Sequence, residues 1–343
     1  MIKKNKVANA FSELKNQGAV FYERRLKTKE RRTTTYGKIG DILTTLLKYF
    51  LLYGLAFVIL YPIIQQLAIA LRAPEDINSA LIKWIPENFS FLNFKVAFAV
   101  LDFWESLKNT VTISIIVTII QLFVTSLVGY ALARLKFPGR KLLFVMVIVV
   151  IVVAPTTIEI PLKDSMKNFL GLGINLMGTP GSIYALSGLG LGIKSGIFIY
   201  LFRQFFLGVP EELEEAAYID GANPIQVFFK VMLPNARGAI ILVLILTFVW
   251  QWNDNYFTSV FVTNANFDTL TTRMMGVRGN IQEAIVKAGV YQLFSQNVTQ
   301  NIYFTSMILN TCAIVSMIPL LIFYVFVQKS LFKEGVERSG LVG

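Results

Sequence analysis

Residues 209–235, VPEELEEAAYIDGANPIQVFFKVMLPN, form a polar, well-patterned stretch between two strongly apolar runs. Pro210 suits the first turn of a helix, because its missing N–H would have no intrahelical partner there. Glutamates crowd the next turns, where the positive end of the helix dipole favours acidic side chains. Gly221 can adopt the positive φ of a tight turn, and a second short helix begins after Asn223 and ends at Pro234. This stretch predicts two short helices joined by a glycine turn, lying flat beside a membrane.

The first of these helices has a small apolar face. Leu213, Ala216 and Ala217 lie on that face, and two of them are alanines that let another protein approach closely. On composition alone, an ordinary interhelical loop and a docking element remain equally open.

The composition of the whole chain is that of an integral membrane protein. Of 343 residues, 55% are hydrophobic and 15% are charged, an apolar excess over soluble globular chains. The first long apolar run starts near residue 49, too late and too long for a cleavable signal peptide. A helical crossing takes about 20 residues. The runs that reach this length are 49–71, 111–133, 142–160, 183–207, 239–262 and 302–327. We therefore predict an all-α membrane fold with six transmembrane helices.

The charge of loops predicts the orientation of these spans. The short loop 134–141 is rich in cations, which places it in the cytoplasm by the positive-inside rule. An even number of spans then puts both termini, and residues 209–235, on the same side. The segments expected outside are 72–110, 161–182 and 263–301. The first and last of them are long enough to hold small helices that meet an external partner. These spans predict a multi-pass membrane protein with both termini in the cytoplasm.

The net charge of +11 lies mostly on the predicted cytoplasmic side, so we expect contact with membrane lipid and no nucleic-acid partner. Residues 1–48 form a basic cytoplasmic tail, in which Val7, Ala10, Phe11 and Leu14 have the spacing of an amphipathic helix. The tail either touches anionic headgroups or only fixes orientation. Residues 49–333 form the transmembrane domain, and residues 334–343 form a cytoplasmic C-terminal tail.

The sequence argues against an enzyme, a metal site and a cofactor. The chain has no histidine and a single cysteine, Cys312, within an apolar run. A membrane-embedded enzyme would need acids, histidines or cysteines clustered at one depth, and no catalytic or metal-ligand set of this kind is evident. Residues 188–196, GLGLGIKSG, suggest a phosphate-binding loop, but Ile193 precedes Lys194 where that motif requires glycine. We therefore expect that this chain does not hydrolyse ATP by itself.

Polar and aromatic residues near the end of the fifth run are candidates for a translocation path. Trp250, Asn253, Asp254 and Tyr256 combine rings that stack on sugar faces with groups that hydrogen-bond hydroxyls. An interfacial aromatic belt is the alternative, and it explains the aromatic residues but not the polar ones.

Two ionisable residues at or near membrane depth are further path candidates, because such groups usually face a cavity or a partner. Glu159 near the outer end of the third run could instead reach the interface. Lys194 lies deep if the fourth span starts at residue 183, and is only a boundary residue if the helix starts near Ser195.

One motif links the stretch 209–235 to a known family. Its residues are Glu215, Ala216, Ala217, Gly221, Val231, Leu233 and Pro234. The spacing resembles the EAA motif of ABC importer permeases, in which isoleucine usually stands where this chain has Val231. The likeness extends from about residue 49 to the C-terminus. It implies the type I ABC importer permease fold, with residues 209–235 as the coupling helix that sits in a groove of a cytoplasmic ATPase dimer.

The resemblance also implies roles for individual residues and further partners. The residues implied to couple to the ATPase are Glu214, Glu215, Ala216, Ala217, Asp220, Gly221, Leu233 and Pro234. Glutamate would pair at the docking surface, the alanines would permit close approach, glycine would make the turn, and Leu-Pro would fix the exit angle. An extracellular or periplasmic solute-binding protein would deliver the substrate, and the location that the resemblance implies is the cytoplasmic membrane of a bacterium.

Further residues resemble the carbohydrate branch of that family. Residues 219–222, IDGA, and Tyr61-Pro62 with the exit segment 72–76 are similar to the second permease subunit of maltose-type importers. That subunit pairs with a different permease, which implies a heterodimer. The end of the chain, EGVERSGLVG, departs from the glycine-rich tail common there.

The predicted function is that of a permease subunit of an ATP-driven importer for a sugar or oligosaccharide. An importer for an amino acid, polyamine or phosphate is the main alternative. A self-sufficient channel or secondary carrier is a third possibility, and would move solute without an ATPase.

Overall fold

The computed structural model describes residues 42–73, 76, 86, 88–264, 266–293 and 298–338, with side chains described as far as residue 328. Over these residues the chain forms helices and turns, with two isolated β-bridges and no strand. The chain divides into two compact units, Met1–Gln65 and Gln66–Gly343. The predicted amphipathic helix of the tail lies outside the described residues.

The described part of the first unit is the beginning of one long apolar helix. Helix α1 (Ile42–Ala70) has 29 residues, and the described residues 42–48, which composition assigned to the tail, are already helical. Large apolar side chains along α1, such as Phe50 and Ile59, are exposed.

The remaining helices belong to the second unit. They are α2 (Leu92–Leu101), α3 (Phe103–Arg134), α4 (Arg140–Val152), α5 (Glu159–Lys167), α6 (Gly181–Gly188), α7 (Ser195–Leu207), α8 (Glu211–Ile219), α9 (Pro224–Val227), α10 (Leu233–Asn235), α11 (Arg237–Trp252), α12 (Tyr256–Phe261), α13 (Leu270–Met275), α14 (Val277–Lys287) and α15 (Ile302–Arg338). Residues 334–338, which composition assigned to the C-terminal tail, continue α15.

Helix α3 lies at the centre of the second unit and packs along both α7 and α11. Gly129 allows the closest approach, since a Cβ atom at this position would lie 2.6 Å from the Cβ of Phe202. A cluster of buried aromatic and aliphatic side chains, including Tyr130, Phe206 and Phe228, lies where α3, α7 and the stretch 209–235 meet.

Only part of the predicted set of six spans is continuous. Among the described residues, three helices are long and apolar enough to cross a membrane (α1, α3 and α15), or up to five if each bent helix pair is one span. The third run breaks after α4, and the chain turns by 107° before α5. Ala154 precedes Pro155 there and takes the extended conformation (ψ 136°) that a proline imposes on its predecessor.

The fourth and fifth runs are also interrupted, each for a local reason. Residues 183–207 are divided between α6 and α7 by a glycine-rich turn, and Lys194 takes a left-handed conformation (φ 57°) directly before α7. Residues 239–262 are divided between α11 and α12 by Asn253, Asp254 and Asn255. Average apolarity over a window cannot reveal such breaks.

Two segments predicted to be external fold together. Helix α2 packs against α13 and α14 through a buried cluster that includes Leu101, Leu270 and Ile281. Asp102 adds ion pairs with Lys287 at 3.3 Å and with Arg273 at 3.9 Å. The segments 72–110 and 263–301 therefore hold small helices, as expected, and these helices form one body.

Candidate functional site

The stretch 209–235 forms two short helical segments joined by a glycine turn. Helix α8 ends in a Schellman motif, in which Gly221 (φ 82°) donates its N–H to Tyr218 O and Ala222 donates to Ala217 O, both at 3.0 Å. A reciprocal capping box between Asn223 and Gln226 then begins α9. Glycine is favoured at the turn because a left-handed backbone strains most other L-residues.

The second segment leads into α11 through a distorted turn. A π-helical section (Phe228–Met232) separates α9 from α10, and the N–H of Leu233 bonds to the carbonyl of Phe228. Pro234 lacks an N–H and so cannot continue a regular α-helical ladder. The chain then bends by 81° into α11. Phe228 holds this segment against the body, with its ring centroid 5.3 Å from that of Tyr130.

Two adjacent glutamates of α8 point in different directions. Glu214 is 8% exposed and faces the body of the protein. Its carboxylate accepts a hydrogen bond from the Tyr130 hydroxyl at 3.0 Å and lies 3.6 Å from Nε of Arg134. Glu215 is exposed. Sequence analysis placed both residues in one ATPase-coupling set, and the structure separates an inward acid from an outward one.

Arg134 is the last residue of α3 and contacts both α7 and α8. Its guanidinium donates to the carbonyl of Phe206 at 3.0 and 2.7 Å and to the carbonyl of Val209. It also lies 3.4 Å from a carboxylate oxygen of Glu211. Sequence analysis used this arginine only as a positive loop charge. The i, i+4 spacing of Tyr130 and Arg134 is the signal that could have revealed a paired functional face.

The outer surface of the stretch 209–235 mixes exposed apolar side chains with small and charged ones. Its exposed apolar side chains are Leu213, Ile219, Ile225 and Phe229. Of the other residues implied to contact an ATPase, Ala216, Asp220, Gly221 and Pro234 are exposed, and Ala217 and Leu233 are half-buried. The loop thus has one anchored side and one open side.

The path candidates form two separate pairs. Lys194 is exposed and its Nζ lies 5.6 Å from the ring centroid of Trp250, within the range of a cation–π interaction. Because α7 begins at Ser195, Lys194 is a boundary residue. Glu159, in the first turn of α5, accepts from Lys163 at 2.6 Å and from the Tyr256 hydroxyl at 2.7 Å.

The two remaining path candidates make local hydrogen bonds. Asp254 is buried and accepts from the N–H of Phe257 at 3.0 Å and from the N–H and hydroxyl of Thr258 at 2.8 and 2.7 Å. This is the geometry of a cap for α12. Asn253 donates to the carbonyl of Val249 at 2.9 Å. No group of three or more potential metal ligands occurs among the described residues.

A buried polar stripe along α3 was missed by sequence analysis. Its members are Ser106, Thr110, Ser114, Thr118, Gln121 and Thr125. Gln121 donates to the Ile193 carbonyl at 2.8 Å and to the Ser195 hydroxyl at 2.7 Å, which ties α3 to the start of α7 beside Lys194. Its members lie three or four residues apart, which is the spacing of one helix face. The surrounding residues are so apolar that the average hydropathy of the run gives no sign of this polar face.

Comparisons with known proteins agree with this architecture. Residues 43–334 match the family described as the binding-protein-dependent transport system inner membrane component. A solved structure of a bacterial ABC transporter involved in the import of the acidic polysaccharide alginate contains a similar chain, with a TM-score of 0.63 and 23% identity. The match covers 84% of this chain and 97% of that one, so the fold is that of an ABC importer permease.

Several curated relatives are permeases. A probable ABC transporter permease of Pyrococcus horikoshii is 31% identical over 229 residues (66% of this chain, 79% of the relative). An arabinooligosaccharide transport permease of Halalkalibacterium halodurans is 28% identical over 215 residues (62% and 73%). A trehalose transport permease of Mycobacterium tuberculosis is 31% identical over 196 residues (57% and 68%).

These matches confirm the resemblance drawn from the EAA-like motif. The family works with an ATPase and a solute-binding protein, so the chain itself needs no ATPase site. With its long apolar helices and a family match over residues 43–334, the chain belongs to the binding-protein-dependent transport system inner membrane components and is a multi-pass permease subunit of an ABC importer.

Proposed function

We propose that this permease moves a sugar or oligosaccharide across the bacterial cytoplasmic membrane as one of two different permease subunits. Relatives that carry arabinooligosaccharides, alpha-glucosides and trehalose support a sugar substrate. Relatives that carry sn-glycerol 3-phosphate keep a phosphorylated polyol as the second candidate. Both termini and the stretch 209–235 lie in the cytoplasm, in agreement with the cationic loop 134–141.

The observation that carries the coupling role is the two-sided character of the stretch 209–235. One side is anchored by Phe228 and Glu214, whereas the other exposes large apolar side chains such as Ile219 and Ile225 among charged residues, and exposed apolar groups of this kind mark interaction surfaces. Such a surface fits the groove of an ATPase subunit. Glu215 pairs at its rim, Ala216 lets the two backbones approach, and Gly221 sets the angle between the two helical segments.

The substrate path runs past the breaks in the apolar helices. On the side away from the cytoplasm, α4 ends near residue 153, α7 begins after residue 194 and α11 ends near residue 253. These helices have 13, 13 and 16 residues. At a rise of about 1.5 Å per residue, each reaches roughly 20–24 Å from its cytoplasmic end. The pair of Lys194 and Trp250 lies at these breaks, where it offers an aromatic face and a cation to a passing solute.

Reconstitution of the complete transporter tests this function. Proteoliposomes that contain this chain, its partner permease, the ATPase and the solute-binding protein are supplied with radiolabelled arabinooligosaccharide, trehalose, alpha-glucoside or glycerol 3-phosphate. ATP-dependent uptake of at least one sugar is expected. Uptake of glycerol 3-phosphate alone would select the second candidate, and uptake by this chain without the ATPase would overturn the importer mechanism.

The same preparation tests the docking surface. A cysteine at position 215 (Glu215→Cys), in a chain with Cys312→Ala, is expected to cross-link to a lysine of the ATPase with a maleimide–succinimidyl ester reagent. The matched control is Glu283→Cys, because Glu283 is exposed on α14, on the side predicted to be external. Cross-linking at 283 but not at 215 would place the ATPase on the wrong side for this proposal.

A further inference from the structure

The cytoplasmic end of α3 grips the stretch 209–235 from inside. The contacts come from Tyr130 and Arg134 on α3 and from Glu214 on α8. We propose that these three residues form a latch through which movement of the coupling loop is transmitted to α3. This inference rests on the proposed coupling function, and it assigns a positioning role to residues that do not touch the ATPase.

The latch joins three helices at one guanidinium. The carbonyls of Phe206 and Val209 lie at and beyond the C-terminal end of α7, where backbone acceptors lack intrahelical partners. Arg134 fills these acceptors and lies beside the Glu214 carboxylate of α8. The Arg134 side chain is 5% exposed and that of Glu214 is 11% exposed. Because water barely reaches either charge, breaking their contacts would leave a buried charge without a partner, which costs considerable free energy.

The contacts differ in what they contribute. The ion pair between Arg134 and Glu211 has an 83% exposed carboxylate partner, and such exposed pairs stabilise little. The buried Glu214 contacts are therefore the ones that hold α8 in register with α3. Phe228 reinforces them by packing on the ring of Tyr130.

Helix α3 is built to carry a displacement across the protein. It has 32 residues, or about 48 Å at 1.5 Å per residue. Midway, Gln121 holds the turn beside Lys194. At the far end, Asn109 donates to Asp268 O at 3.0 Å, and the Thr110 hydroxyl accepts from the N–H of Leu270 at 2.9 Å. One rigid element thus joins the latch, the path candidates and the predicted external helices.

The adjacent residues Glu214 and Glu215 have different roles in this proposal. Glu215 faces the ATPase, and Glu214 faces α3. A substitution at 214 should therefore leave the ATPase bound but break transmission, whereas a disruptive change on the outer surface should weaken binding of the ATPase itself. This separation lets the latch be tested apart from the docking surface.

The experiment reads α3 movement directly and needs no identified sugar. The complete transporter carries Cys312→Ala and Lys108→Cys, since Lys108 is exposed at the outer end of α3, and a bimane fluorophore is attached there. Fluorescence is recorded on adding ATP with vanadate. Test variants are Glu214→Gln, Tyr130→Phe and Arg134→Lys. Matched controls are Glu283→Gln, Tyr200→Phe and Arg140→Lys, which repeat each chemical change outside the latch.

We expect the wild type and the control variants to give the same ATP-dependent fluorescence change. The latch variants should keep wild-type amounts of bound ATPase yet lose roughly nine-tenths of the fluorescence change. Breaking the buried charged contact in Glu214→Gln should also lower the Tm, whereas Tyr130→Phe, which removes a single hydroxyl, should keep the Tm to within a few degrees. Glu214→Asp, which keeps the charge, should recover most of the response.

Three results overturn the latch. A wild-type response in Glu214→Gln would show that transmission does not pass through it, with the coupling function intact. Loss of bound ATPase together with a large fall in Tm in all latch variants, with no recovery in Glu214→Asp, would assign the residues a purely structural role. Failure of the Glu215→Cys variant to cross-link to the ATPase, in a transporter with an intact latch, would overturn the proposed coupling function itself.

Discussion

The coupling stretch 209–235 and the candidate path around Lys194 and Trp250 differ in where their structure comes from. The coupling stretch is shaped by residues close in sequence, namely a proline, a glycine turn and a capping box. The path region is assembled from three separate interruptions in α4–α5, α6–α7 and α11–α12. Local chemistry therefore fixes the shape of the loop, whereas packing across the molecule fixes the path.

The largest expected effect is at the glycine turn. Gly221→Asp places a charged side chain on a backbone with φ 82°, a conformation that costs most L-residues about 1–2 kcal/mol and aspartate less, and it adds charge to the exposed docking surface. We predict normal membrane insertion but a loss of ATP-dependent uptake of roughly tenfold or more, measured in the proteoliposomes described above.

The control for this variant is Gly279→Asp on α14. Gly279 has ordinary backbone geometry, and a Cβ there would meet nothing within 4 Å. Gly221→Asn has the shape of aspartate without its charge, and both residues tolerate the left-handed region, so the comparison isolates the effect of charge. Normal uptake by Gly221→Asp would contradict the coupling mechanism. Substitutions in the loop would then affect transport no more than substitutions in the path.

The next effect concerns the helix packing that supports both regions. A side chain at Gly129 would collide with Phe202 Cβ at 2.6 Å and with the backbone of Arg203 at 3.1 Å. We predict that Gly129→Val destabilises the protein by about 1–3 kcal/mol, as overpacking does, and lowers Tm in detergent. Gly188→Val is the control, since the nearest atom to its Cβ is 3.9 Å away. An unchanged Tm would mean that α3 and α7 are not locked together.

Particular residues show how far the sequence reached. The helix–turn–helix of residues 209–235 followed from Pro210, Gly221 and Asn223, because caps and turns depend on near neighbours. The continuous spans α1, α3 and α15 followed from apolar length. The helix breaks before Pro155 and at Lys194 could not be predicted in this way, because hydropathy averaged over a window does not reveal a single residue with an extended or left-handed backbone.

The site was predicted less completely than the fold. The exposed face of the coupling stretch could be assigned from a motif, but its buried face could not. Glu214 meets Tyr130 and Arg134 from 84 and 80 positions away in the chain, a pairing that propensity and spacing within one segment do not encode. Asp254 is a different case, because its carboxylate accepts hydrogen bonds at the start of α12, and its contact with substrate stays a prediction.

Asp254→Ala tests whether that residue belongs to the path or to the scaffold. The carboxylate accepts from Phe257 and Thr258 at the start of α12, so its loss should cost about 1 kcal/mol, typical of a helix cap. We predict a lower Tm with an unchanged KM for the transported sugar. Asp254→Asn, which keeps the acceptor oxygen, should recover part of the Tm. A raised KM with an unchanged Tm would assign Asp254 to substrate contact.

The smallest effect is expected at Lys194, which loses only an exposed cation–π contact worth about 0.5–1 kcal/mol. Its Nζ lies 5.6 Å from the Trp250 centroid, and loss of this exposed contact should leave the Tm nearly unaltered. A contact of similar free energy between the cation and the solute, about 0.5–1 kcal/mol, would make Lys194→Gln raise KM two- to fivefold. Lys167→Gln is the matched control, because Lys167 is exposed and pairs only weakly with Asp164 at 3.9 Å. If Lys194→Gln and the control behave alike, the cation serves the turn before α7 and the path must lie elsewhere. A different result would separate the two regions by function. If Lys194→Gln alters KM, and Gly221→Asp lowers uptake without altering binding of the solute, the path region recognises the solute and the coupling stretch transmits energy from the ATPase.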